Sequence, residues 1–85
     1  MKLSDTIALM ESDNYKDRFV AEYLQTKIRY EKLHKTIVKY FAGTLDFYPD
    51  TPLDILEEQA KHMGCYLKQL EIRAEIEGIV LSREE

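Results

Sequence analysis

Two rows of side chains carry most of the chemistry this sequence offers. In the stretch YLQTKIRYEKLHKTIVKY, residues 23–40, Tyr23, Lys27, Tyr30 and His34 recur at helical spacing and share one side of a helix. Further along, His62, Tyr66, Gln69 and Arg73 repeat the pattern. Phenol rings can stack on flat bases, while lysine and arginine can meet phosphates. The rows therefore suit an anionic ligand with aromatic faces. The same positions have a second explanation. Lys16, Lys27 and His34 fall inside an apolar arc, where a lysine can carry its charge past a packing seam to water. Arg29, Lys32, Lys35 and Lys39 project from the polar side and read as solvated cations without a site role.

The elements that must position these rows are helices. Eighty-five residues allow one domain, residues 1–85, and the chain is nearly half apolar, a third charged and poor in Gly and Pro. Ser4 or Asp5 is placed to cap a short first helix whose Leu3, Ile7 and Met10 share a face. Asp13 is placed to cap a second helix that runs without a breaker to about Ala42, with Gly43 closing it. GTLDFYPD reads as a loop. Thr51-Pro52 starts a third helix, ending near Ile76 before Gly78 and the tail IVLSREE.

Two seams match. Phe19, Tyr23, Thr26, Tyr30, Leu33, Ile37 and Tyr40 line one helix, and Leu53, Leu56, Ala60, Met63, Leu67, Leu70 and Ala74 line the other. Residues 15–42 carry seven Lys/Arg against three Asp/Glu, while residues 43–85 carry four against ten. The fold class is therefore all-α: an antiparallel two-helix hairpin with a short N-terminal helix. Lys35 and Lys39 are expected near Asp54, Glu57 and Glu58, setting the register. Val20, Leu24 and Ile28, with Ile72 and Ile76 on the third helix, lie outside the seam, and Ile79 continues that patch if the helix extends. Either the first helix and the tail cover these residues or they form an oligomer interface. A hairpin of this size favours the second, a homo-oligomer closing into a helical bundle.

Other chemistry lacks its residues. The chain has no glycine-rich phosphate loop, HExxH, nucleophile elbow or Cys/His constellation, so neither an enzyme nor a metal or cofactor site is expected. Cys65 is the single cysteine, MKLSDTIALM lacks the apolar run of a signal peptide, and no window reaches membrane-spanning length. These features point to a cytoplasmic protein without a membrane partner. A formal net charge of -4 opposes binding of long nucleic acid.

The run SDTIALMESDNYKDRFVAEYLQTKIRYEKL, followed by AGTLDF, a Pro-started helix and LEIRAEIEGI, resembles a family of short proteins from phages and prophages of gut bacteria, with relatives in crAss-like phages. In architecture the chain is similar to small helical-hairpin anti-defence proteins that oligomerise and sequester cyclic nucleotide immune signals. That resemblance implies a sponge in the host bacterial cytoplasm, holding a cyclic oligonucleotide or a cyclic ADP-ribose derivative between protomers without cleaving it. By their position and chemistry, the residues suited to such a ligand are Tyr23, Lys27 and Tyr30, completed by Tyr66 and Arg73 from the same or a neighbouring protomer. The alternative is a non-enzymatic helical adaptor that binds or inhibits a host or phage protein. The hairpin motifs do not choose between them.

Overall fold

Two glycines and one asparagine mark where the long helices begin and end. The computed structural model describes residues 1–81. Asn14 is still extended, and its side chain accepts a hydrogen bond from the Lys16 amide at 2.9 Å, opening helix α2 over Tyr15–Ala42. The cap thus falls one residue later than the Asp13 expected, because Asn14 directly precedes the first helical residue. Gly43 closes α2 at φ 78°, a left-handed conformation that costs glycine little. Helix α3 covers Leu53–Glu77 behind Pro52, and Thr51 makes no side-chain cap.

The two helices run antiparallel. The Tyr15 hydroxyl donates to Glu77 Oε1 at 3.2 Å and the Tyr23 hydroxyl to Glu71 Oε2 at 2.6 Å. Every expected α3 seam residue is buried or half-buried, as are all those of α2 except Tyr40. Charge does not fix the register. Among the described residues, neither Lys35 nor Lys39 lies within ion-pair distance of Asp54, Glu57 or Glu58.

The N-terminal segment packs on α2 as a 3₁₀ turn, Leu3–Thr6, running into helix α1, Ile7–Met10. Neither Ser4 nor Asp5 is its cap residue: Lys2 stands there, and its amide donates to the Asp5 carboxylate at 2.8 Å. The expected face of Leu3, Ile7 and Met10 is not the packed one, since Ile7 and Met10 are exposed. Thr6 is fully buried and Leu9 packs on the core. A 3₁₀ turn has three residues per turn, so entering through one rotates the following helix relative to a continuous α-helical pattern. The Gln25 amide holds the segment, donating to Thr6 Oγ1 at 2.8 Å and meeting the Met10 sulfur.

At the other end Gly78, φ 68°, turns the chain back, and the Ile79 amide donates to the Ala74 carbonyl at 2.9 Å. Ile79 is consequently buried with the core, and Leu81 packs beside it. The expected outward continuation of the Ile72–Ile76 patch through Ile79 does not occur. Of the tail, Ser82–Glu85 lie outside the described residues.

Apolar burial is concentrated at one end, where Phe19, Val20, Tyr23, Leu24, Leu67, Leu70, Ala74 and Ile79 form the core. At the opposite, loop-bearing end the two helices have no third layer, and Phe41, Phe47 and Tyr48 are exposed, Tyr48 to 94%. The hairpin is elongated, 43 × 24 × 21 Å, with a radius of gyration of 15.0 Å. A compact domain of this length would have about 12 Å. Among the described residues no strand is present, and no helix is long and apolar enough to cross a membrane.

Candidate ligand-binding site

The five residues singled out as ligand contacts do not converge within one chain. Glu71 and Arg73 are two positions apart on α3, about 200° around its axis. Tyr23 bonds Glu71, whereas Arg73 stacks over the Phe19 ring, its guanidinium carbon 4.8 Å from the centroid. The contacts at Glu71 and Arg73 therefore mark opposite flanks of the hairpin.

The first flank holds Tyr23, Lys27 and Tyr30. Lys27 Nζ stands 5.9 Å over the Tyr23 ring, so the half-buried lysine is oriented by an aromatic face. Tyr30 lies against α3 at Gly64, where a Cβ would come 3.6 Å from Tyr30 Cε1. Gly64 and Glu71 are seven residues apart and share a side of α3. Tyr30 also stacks on His34, with centroids 5.9 Å apart and planes at 14°. Tyr23 itself is buried and belongs to the core. Its phenol is pushed up to about 12, first by burial and then by the hydrogen bond to the Glu71 carboxylate and its charge. On this flank Lys27, the Tyr30 edge and His34 remain for a ligand.

The second flank holds Tyr66 and Arg73. Tyr66 helps line a shallow groove of about 470 Å³ on α3, with Ile55, Glu58, Gln59, His62 and Met63. Ile55, His62, Tyr66 and Arg73 follow one another at spacings of seven, four and seven, so one edge of α3 carries them all. Arg73 also pairs with Glu77 at 3.2 Å, so a phosphate meeting Arg73 has to compete with that carboxylate. The Tyr15 phenol, bonded to the same Glu77, is raised by loss of water contact and by that bond.

Of the five expected interface residues, Val20 and Leu24 are unavailable in this fold. Val20 is 0% exposed and Leu24 is buried, because the 3₁₀ turn and α1 pack on α2 and Leu9 joins the core around them. Ile28 is half-buried, in a small recess with Met1, Leu24, Lys27 and Glu31. Ile72 and Ile76 stay open, Ile76 to 77%.

Sequence reasoning assigned no site role to Ile55, Glu58, Gln59 or Met63. A signal was present for Ile55, which extends the His62–Tyr66–Arg73 row by two turns. Gln59 and Glu58 carry none, since polar residues on an exposed helix are ordinary.

A family model described as Sequestin matches residues 13–76. That range includes both flanks and the groove and leaves out the 3₁₀ turn and α1. No curated protein and no solved structure matches the chain.

Proposed function

The chain belongs to the Sequestin family, and from that premise we propose that it binds and sequesters a cyclic nucleotide immune signal without cleaving it, as a phage-encoded anti-defence protein in the bacterial cytoplasm. The observation that carries the reading is the family match, whose name denotes sequestration and whose range holds all the aromatic and cationic candidates. The chemistry is consistent with binding alone. Lys27 and Arg73 are the cations placed to meet phosphates, those of a cyclic oligonucleotide or a cyclic ADP-ribose derivative, with Arg73 exchanging its Glu77 partner.

Because the two flanks face apart, a ligand held by both takes one wall from each of two neighbouring copies. Sharing it fits the excess surface: the chain exposes 6331 Å², against roughly 5,200 Å² for a compact monomer of its mass. Such an excess is on the scale of one partner's share of a standard interface, about 800 Å².

Calorimetry against cyclic dinucleotides, cyclic trinucleotides and cyclic ADP-ribose isomers tests the proposal. The unmodified protein should release heat with at least one. Lys27→Ala and Arg73→Ala should each weaken that binding, while Lys32→Ala should not. An equal mixture of Lys27→Ala and Arg73→Ala chains should regain binding at about a quarter of the interfaces, where two intact walls meet. No heat from any ligand would favour the alternative of a helical adaptor or inhibitor. The observation behind that alternative is the exposed aromatic tip of Phe41, Phe47 and Tyr48, a surface suited to a protein partner.

A further inference from the structure

Apart from Tyr66, the groove on α3 has a chemical character that the binding reading leaves unused. Its walls are the Tyr66 ring, the Met63 thioether and the Ile55 side chain, and its polar groups are Glu58, Gln59 and His62. No lysine or arginine lines it, and Glu58 places a carboxylate there. A phosphate would be repelled by that carboxylate and find no compensating cation. The groove therefore suits a neutral, flat, partly polar body. At about 470 Å³ it falls toward the small end of ligand sites, in scale with part of a nucleotide.

The polar groups narrow the class further. An ionised carboxylate only accepts hydrogen bonds, so Glu58 calls for a donor such as an exocyclic amine. Gln59 offers one donor group and one acceptor side by side, the pairing that reads the amine and ring nitrogen of adenine. Its side chain's only hydrogen bond among the described residues is a weak one to the Met63 sulfur at 3.9 Å, which a base could replace. Tyr66 supplies the stacking face. Arg73 lies seven residues beyond Tyr66, about 10 Å along the same edge of α3, within reach of a phosphate attached to a sugar.

We propose that the Ile55–Tyr66 groove is an adenine pocket, with Gln59 and Glu58 reading the base edge, Tyr66 stacking on its face, and the phosphates directed out of the groove toward Arg73. This deepens the sequestration reading and rests on it for its biological ligand, although the pocket itself is testable alone.

The test uses the whole protein and three probes at millimolar concentration, adenosine, inosine and uridine, followed by amide chemical shifts. Adenosine should move the resonances of Ile55, Gln59, His62 and Tyr66. Inosine, which carries a carbonyl in place of the amine, should bind about tenfold more weakly. Tyr66→Ala should weaken adenosine binding by about tenfold, with Tyr66→Phe retaining it. Gln59→Ala should narrow the preference for adenosine over inosine, and Gln59→Ala combined with Glu58→Ala should erase it. Shifts confined to another region, equal response to all three nucleosides, or no response to adenosine would overturn the pocket. The outcomes separate the two ideas. Adenosine in the groove with no cyclic nucleotide bound would defeat sequestration alone, whereas a cyclic nucleotide bound with the groove unperturbed would defeat the pocket alone.

Discussion

Replacing Tyr23 by Phe removes one hydroxyl and leaves the buried ring in place. That hydroxyl donates to Glu71 at 2.6 Å, and hydrogen bonds to a charged group contribute about 1.5–3 kcal/mol. The phenol is raised to about 12, first by burial and only then by this bond, so the shift agrees in direction without setting the bond's size. The figure is discounted because Glu71 is exposed: water screens the pair, and the carboxylate rehydrates once the hydroxyl is gone. The expected loss is about 1–2 kcal/mol at neutral pH, a fall in melting temperature of about 4–16 °C for a chain of this length. Circular dichroism melts of both proteins would measure it. The sign of the pH dependence follows from the raised folded value. The stabilisation is fully present below the ordinary tyrosine value of 10.0 and is lost as pH rises through about 12, so the two melting curves should converge across that window. Equal melting temperatures at neutral pH, or a gap that persists above that window, would refute the assignment of Tyr23 to this contact.

Leu70→Ala, at a position only 2% exposed in the centre of the core, should cost about 2–5 kcal/mol by denaturant titration. Gly43→Ala places a Cβ at φ 78° and should cost about 1–2 kcal/mol, although nothing lies within 4 Å of the new methyl, so the loss would report backbone strain alone. Tyr48→Ser, at the most exposed aromatic, should change stability by less than about 0.5 kcal/mol, while a protein partner recovered by the unmodified chain would be lost if the tip is a docking surface.

The hairpin was legible because seam periodicity is local. Leu53 through Ala74 mark one face of α3 whatever lies opposite, and Gly43 and Gly78 stop their helices where the left-handed conformation is needed. What the sequence misassigned depended on contacts between distant segments. Val20 and Leu24 have the composition of an interface, and only the packing of the 3₁₀ turn and α1 on α2 distinguishes a covered apolar face from an open one. Tyr23 has the spacing of a ligand contact, yet Glu71, 48 positions away, makes it a core residue. The separation of Lys27 from Arg73 required the relative rotation of two helices, which no single-helix pattern encodes. The groove escaped notice because concavity belongs to three-dimensional surface, and Gln59 and Glu58 have no periodic signature.

The outward divergence of the two flanks also limits the symmetry available to an assembly. If copies share the proposed site, a twofold axis would make every contact between a Lys27 wall and an Arg73 wall reciprocal, so both walls of each copy would have to face the same partner, which walls on opposite flanks of one hairpin do not allow. Joining unlike walls is directional: each contact leaves one unused wall at either end of the growing chain. Only a closed cycle of three or more copies uses every wall, and in it the number of pockets equals the number of subunits. An open array would instead propagate as a filament, with an empty half-pocket at each end.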